Sequence, residues 1–287
     1  MIDQLQKISA IYYGLLQSGY GFYSFERSAE HIKRLQALCK HGSSIDFFSK
    51  AKQDTCDVYP YWPRAFIMEA ASFFLNDSNT GFQDLESFRR KIMSAGNITE
   101  KERDDALWGW LADFPQALAF VLSDSSFFEY LVWEKKWLFE QEAVCSEELD
   151  TVRKCMELCT DLYHSPVQKI RICLNPIKCV YSSDYHMIGD CFVFTSGALR
   201  ADSVIHEYLH HVVHPYVEQR KALVLEYKTV NSQIDGSYYL SGNVAGSINA
   251  FEETVVRALT EEIMKGKYPE DLPAYLDNSL SHRRGER

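Results

Sequence analysis

The pentapeptide His206-Glu207-Tyr208-Leu209-His210, within ADSVIHEYLHHVVHP, has the residue types and spacing to hold a metal ion and activate water. Histidines at i and i+4 of a helix lie one turn apart on the same face, so both imidazoles can reach one ion. Glu207 projects toward the same side, where it can act as general base on water while the ion polarises a scissile carbonyl. In a chain with 9 His among 287 residues, the pattern is expected by chance about 0.02 times. The flanking Val204, Ile205, Leu209, Val212 and Val213 are apolar, as a helix buried inside a domain requires. Pro215 then predicts a helix stop at His214. The bland alternative is an ordinary helix that happens to carry two histidines.

A catalytic zinc takes three protein ligands and leaves a fourth position open. His211 points to a different face from His206 and His210. His214 continues their stripe, but three ligands on one straight helix cannot surround an ion tetrahedrally, so it reads as a helix-end histidine. A later helix can complete the set. In INAFEETVVRALTEEIM, residues 248–264, two adjacent acids precede an apolar face of Val255, Val256, Leu259 and Ile263. Carboxylates at the apolar start of a buried helix are costly unless paired or bound to metal. Glu252 or Glu253, 42 or 43 residues after His210, is therefore the natural third ligand.

The elements that must position these groups follow from periodicity. Residues 1 to about 165 read as successive helices, with apolar residues at three- and four-residue spacing in 26–41, 82–95 and 146–163. Ser146, followed by Glu147, Glu148 and Asp150, marks a helix start. Near Ser165-Pro166 the pattern changes: VQKIRICLN alternates, and CVYSS and CFVFTSG follow as short β-rich runs. Helices return over 200–214, about 216–230 and about 248–265. The chain is therefore expected to be α+β and mostly helical. A helical N-terminal region, 1–165, precedes a domain, 166–287, with a small sheet and the metal-binding helix.

Composition narrows the function classes. With 46% hydrophobic and 14% aromatic residues the chain can bury a core, and disorder is excluded as its main state. No run of about 18 uncharged apolar residues offers a membrane span. A formal charge of −10 argues against a nucleic-acid or anionic-membrane partner. The N-terminus has no basic region followed by a cleavage site, so a cytoplasmic location is expected. The eight cysteines form no CxxC pair and read as reduced core thiols, and the Cys155/Cys159 spacing is a weak metal signal. The Trp-rich stretch around Trp108, Trp110, Trp133 and Trp137 reads as core. Two glycosylation sequons, at Asn76 and Asn97, have no meaning in an unsecreted protein.

From about 168 to 265, the His206–His210 motif followed by a glutamate on a later helix resembles the gluzincin branch of the zincin metallopeptidases, the thermolysin-like arrangement. Glu252-Glu253-Thr254-Val255-Val256-Arg257 is also similar to the second-helix signature of poorly characterised bacterial zincin-like families. The resemblance implies a zinc-dependent peptidase acting on a peptide or protein substrate, with one Zn²⁺ per chain on His206, His210 and, by analogy, Glu253 rather than Glu252. It further implies an edge strand lining the cleft, for which Cys191–Ser196 has the right sequence position, and an oxyanion donor from a later loop, for which Tyr239 or Tyr238 is the candidate. One departure stands out. Such enzymes place an aspartate four residues after the ligand glutamate to orient a histidine, and here that position holds Arg257, or Val256 if Glu252 is the ligand. Arg257 at that place either binds a substrate carboxylate or oxyanion, or pairs with a neighbouring acid. Two other outcomes stay open: a non-catalytic zincin-like binding or regulatory protein, and a metal-dependent amidase on a small substrate. Neither oligomeric state nor substrate identity follows from the residues.

Overall fold

A computed structural model describes residues 2–19, 27–39, 46–51, 64–79, 81–88, 109–226 and 244–282. Packing divides the chain into two compact units. One comprises Met1–Val144, Arg171–Ile188 and Thr195–Ala198; the other comprises Cys145–Ile170, Gly189–Phe194 and Leu199–Arg287.

In the first unit, helices α1 (Gln6–Gln17), α2 (Ala29–Leu38), α3 (Asp46–Ala51), α4 (Arg64–Ser72), α5 (Phe114–Ser123) and α6 (Ser125–Val144) follow in order. The α1 sequence QKISAIYYGLLQ is apolar on nearly every side, and Ile8 to Leu16 are accordingly buried at its centre. Gly14 lets the core close: a Cβ there would lie 2.6 Å from the Phe48 ring. Ser28 starts α2 by accepting the His31 N–H, satisfying one of the donors that a helix start leaves unpaired. Of the expected helix at 82–95, residues 85–88 are helical and 89–95 fall outside the described residues.

Two fully buried carboxylates are built into this unit. Glu69 accepts from Tyr12, from Lys178 Nζ at 3.2 Å, from His186 Nε2 at 2.8 Å and from Thr195 Oγ1 at 2.6 Å, while Asp184 also pairs with Lys178. Burial would raise the Glu69 pKa, but the Lys178 charge and the His186 bond hold it below its usual range. Glu134 accepts from Gln4, Ser9, Tyr130 and Asn175 at 2.7, 2.6, 2.8 and 3.1 Å, but no cation faces it in that set. Burial therefore prevails over these bonds and pushes its carboxyl up to about 7.

Strands β1 (Lys169–Leu174), β2 (Ser183–Ile188) and β3 (Cys191–Ser196) form one sheet in the order β1-β3-β2. β2 and β3 are joined by the two-residue turn Gly189-Asp190, with Gly189 at φ +63, and are therefore antiparallel. Gln168 N–H donates to Asp190 O at the start of β1, and Asn175 N–H to Ser196 O at its end, so β1 runs parallel to β3. This corrects two expectations. CVYSS, residues 179–183, forms no strand of its own: Ser182 N–H donates to Cys179 O at 3.1 Å, closing a turn, after a 175–178 loop that Asn175 Oδ1 and Arg27 hold through the Ile177 and Lys178 N–H groups and the Asn175, Lys178 and Gly197 carbonyls. The second strand instead begins at Ser183. Nor is Cys191–Ser196 an edge. It is the central strand, flanked on both sides, so its backbone is not free to pair with an extended peptide.

In the second unit, α7 (Ser146–Leu162), α8 (Ala201–Gln219), α9 (Lys221–Glu226), α10 (Val244–Met264) and α11 (Leu272–His282) follow. α8 does not stop at His214 but continues through Pro215 to Gln219. A proline there removes one hydrogen bond while keeping a helical φ, and continuing the helix buries Val217 and brings Arg220 to Asp277 at 2.7 Å. The chain is thus mostly helical with one small sheet, and no helix among the described residues is long and apolar enough to cross a membrane. The described cysteines are free thiols.

The Glu134 site has a pH signature. Its folded pKa, about 7, lies above the ordinary 4.5, so between those values the folded chain holds a proton the unfolded chain has lost. The associated stability is fully present below about pH 4.5 and is lost as pH rises to 7. Urea unfolding should show the advantage of wild type over Glu134→Gln shrinking by about 2–3 kcal/mol between pH 5 and pH 8. A pH-independent difference would mean that Glu134 is ionised throughout.

Candidate metal centre

α8 presents two faces. Val204, Ile205, Tyr208, Leu209, Val212, Val213 and Val217 are buried, whereas His206, Glu207, His210 and His214 lie along a half-buried side. The helix is fixed at its start and middle. Ala201 N–H, one of the donors without a partner within the helix, bonds Glu148 Oε2 at 2.8 Å. Tyr208 OH meets Thr160 Oγ1 at 2.7 Å, and its ring packs edge-on against Phe192.

α8 packs most extensively against α10. On α10, Phe251, Val255, Val256, Leu259 and Ile263 are buried, and the same packing brings Glu252 and Glu253 inside at 7% and 8% exposure. Glu253 faces the motif. His206 Nε2, His210 Nε2 and Glu253 Oε2 form a triangle with sides of 3.2 Å (His206–His210), 3.2 Å (His210–Glu253) and 3.5 Å (His206–Glu253). Donors about 2.05 Å from a tetrahedral zinc would stand about 3.3 Å apart. The residues present therefore fit such an ion in type, number and spacing. Among the described residues, this is the group of His, Cys, Asp or Glu side chains whose ligand atoms converge closely enough to share a metal.

The electrostatics favour a cation in the same place. Burial would lower the His210 pKa, but the Glu252 and Glu253 hydrogen bonds, and the charges of Glu252 and Glu207, raise it to about 10. Burial would likewise raise Glu253, yet its bonds to His206 and His210 hold it far below the usual carboxylate range. Its other oxygen, Oε1, accepts from Arg257 Nε at 2.5 Å, one turn along α10.

The remaining candidates fall as follows. Glu207 lies on the motif face of α8, half-buried, and its charge is felt at His210. Glu252 is turned away from the triangle toward the far nitrogens of His210 and His214, at 2.8 Å each. His211 packs edge-on near Tyr208, away from the triangle. Arg257 is 67% exposed and bonded to Glu253. Cys155 accepts a hydrogen bond from Tyr268 at 3.4 Å and belongs to no converging ligand group among the described residues. Tyr238 and Tyr239 lie outside the described residues. Sequence reasoning missed the pairing of Glu252 with His214, although the signal was present: a third histidine at the same four-residue interval and a second acid beside the ligand.

Comparison with models of known protein families, with characterised proteins and with solved structures finds no match for this chain.

Elemental analysis of the purified protein should find about one zinc per chain, lost in His210→Ala. Glu253→Ala should weaken zinc binding by at least about 100-fold, and Arg257→Ala, which leaves every donor in place, by less than about tenfold. Equal losses in these last two variants would contradict the triangle.

Proposed function

We propose that the chain is a zinc-dependent metallopeptidase, with the ion held by His206, His210 and Glu253 and with Glu207 as general base. Support comes chiefly from the donor triangle, whose sides of 3.2, 3.2 and 3.5 Å suit one tetrahedral ion. A structural zinc site is closed by four protein ligands, whereas three converge here among the described residues, at a half-buried face. An acid between the two histidines, which a purely structural site has no use for, favours catalysis further.

When bound, zinc lowers the pKa of water and polarises a carbonyl oxygen. The chain's own groups do the rest. His206 and His210 each turn Nε2 inward, and Glu253 supplies Oε2. Arg257, bonded to Glu253 Oε1, restrains that carboxylate so that one oxygen faces the histidines. Glu207 takes the proton from the attacking water and returns it to the leaving amine. The peptide class of substrate rests on the resemblance of His206–His210 and Glu253 to the gluzincin pattern.

Glu207→Gln keeps all three donors and removes the base. The variant should retain its zinc while losing about 10²- to 10⁴-fold in kcat on a panel of peptides and small amides. Hydrolysis of small amides alone would move the assignment to an amidase. Undiminished turnover in the variant would overturn it.

A further inference from the structure

Glu252 is the buried charged group beside the metal centre that the hydrolytic scheme leaves without a task. Its position is unusual for a group that orients a ligand. The expected place for such an acid, four residues beyond the ligand glutamate, holds Arg257, which binds the ligand itself. Glu252 directly precedes the ligand in the chain. On a helix, adjacent residues are about 100° apart, so Glu252 and Glu253 cannot both face the triangle. One carboxylate stands in front of the His210 ring and the other behind it.

Behind the ring, the geometry is specific. Glu252 Oε1 accepts from His210 Nδ1 at 2.8 Å, and Glu252 Oε2 accepts from His214 Nδ1 at 2.8 Å. The Glu252 side chain is 9% exposed and that of His214 is 40% exposed. His210 and His214 are one turn apart on α8, so a single carboxylate spans the two rings along the helix.

We propose that Glu252 is a positioning residue for the metal centre, which bridges His210 and His214 and thereby holds His210 with Nδ1 as the donor and Nε2 free for the metal. This rests on the zinc-site assignment above. An ionised carboxylate has acceptors and no donor, so both rings must present an N–H to it. With Nδ1–H fixed, the lone pair of a metal-bound His210 is on Nε2, the atom that faces His206 and Glu253. His214 acts on Glu252 rather than on the metal: it holds the second oxygen and so fixes the plane of the carboxylate against His210. The negative charge behind the ring also strengthens its donation to a cation in front. A histidine that continued the ligand stripe without a place in the ion's coordination is thereby given a function.

The test reads zinc affinity by chelator competition, the thermal stability of the metal-free protein, and the Nδ1–H signals of the zinc-loaded protein by nitrogen-resolved NMR. The variants are Glu252→Gln, His214→Phe and His214→Gln. Glu252→Gln retains the volume but offers one acceptor and one donor in place of two acceptors. It should weaken zinc binding by about 10- to 100-fold and abolish the slowly exchanging His210 Nδ1–H signal. His214→Phe, at a partly exposed position, should weaken binding by about three- to tenfold, whereas His214→Gln, whose amide can still donate to Glu252, should stay within about twofold of wild type. Metal-free stability should not follow this order. Zinc binding by Glu252→Gln within about threefold of wild type, with the Nδ1–H signal intact, would overturn the proposal while leaving the metal centre standing. So would equal behaviour of the two His214 variants, a result that remains decisive even if Glu252→Gln does not fold. No zinc binding by wild type would remove the metal centre and the positioning role together.

Discussion

Two adjacent carboxylates buried on one helix impose the condition that the rest of the second unit satisfies. An ionised acid out of water is tolerated only when paired and hydrogen-bonded, and α10 carries Glu252 and Glu253 side by side at 7% and 8% exposure. The partners are a row of imidazoles on α8, at positions 206, 210 and 214. One acid stands before the row and one behind it, and His210 is held between them. The apolar faces of the two helices, Val204 to Val217 on α8 and Phe251 to Ile263 on α10, bring the groups together.

The first unit solves the same problem with a different outcome. Glu69 is fully buried, but Lys178, His186, Thr195 and Tyr12 all donate to it, and Lys178 also pairs with Asp184. Each acid in that network meets the Lys178 cation, so the charges are compensated within the core. The α8–α10 group differs: two imidazole nitrogens and a carboxylate oxygen converge within 3.5 Å of one another at a half-buried face. The presence of such a convergence, rather than burial of charge as such, distinguishes a metal centre from a core network. Glu134 shows a third outcome, in which donors without a cation leave burial in control of the carboxyl group.

Much of the local structure was legible in the residues. The helix at 146–162, the helical first half, the strand leading into Leu174 and the helix that carries the histidine motif all follow from periodicity. The failures share a cause. Pro215 looked like a terminus because a proline costs a helix one hydrogen bond, yet Val217 and Arg220 gain enough beyond it to carry the helix on. Cys191–Ser196 looked like an edge because sequence order says nothing about strand order, and β3 inserts between β1 and β2. CVYSS had strand-like residues, but Asn175 and Arg27 tie up the preceding backbone. In each case a contact distant in sequence outweighed a local preference.

By itself, the sequence determined that His206, Glu207 and His210 share a helical face and that an acid of the later helix should join them, because helical spacing is a local property fixed by 3.6 residues per turn. It narrowed the third ligand to Glu252 or Glu253. The tertiary structure brings Glu253 rather than Glu252 to both histidine Nε2 atoms, since residues about 100° apart on α10 exchange places if that helix turns about its axis, and its rotation is set by which of Phe251, Val255, Val256, Leu259 and Ile263 find apolar partners. The pairing of Glu252 with His214 and of Arg257 with Glu253 follows from that same rotation. Spacing along a chain can place groups on one face; packing against a second helix determines which of them meet.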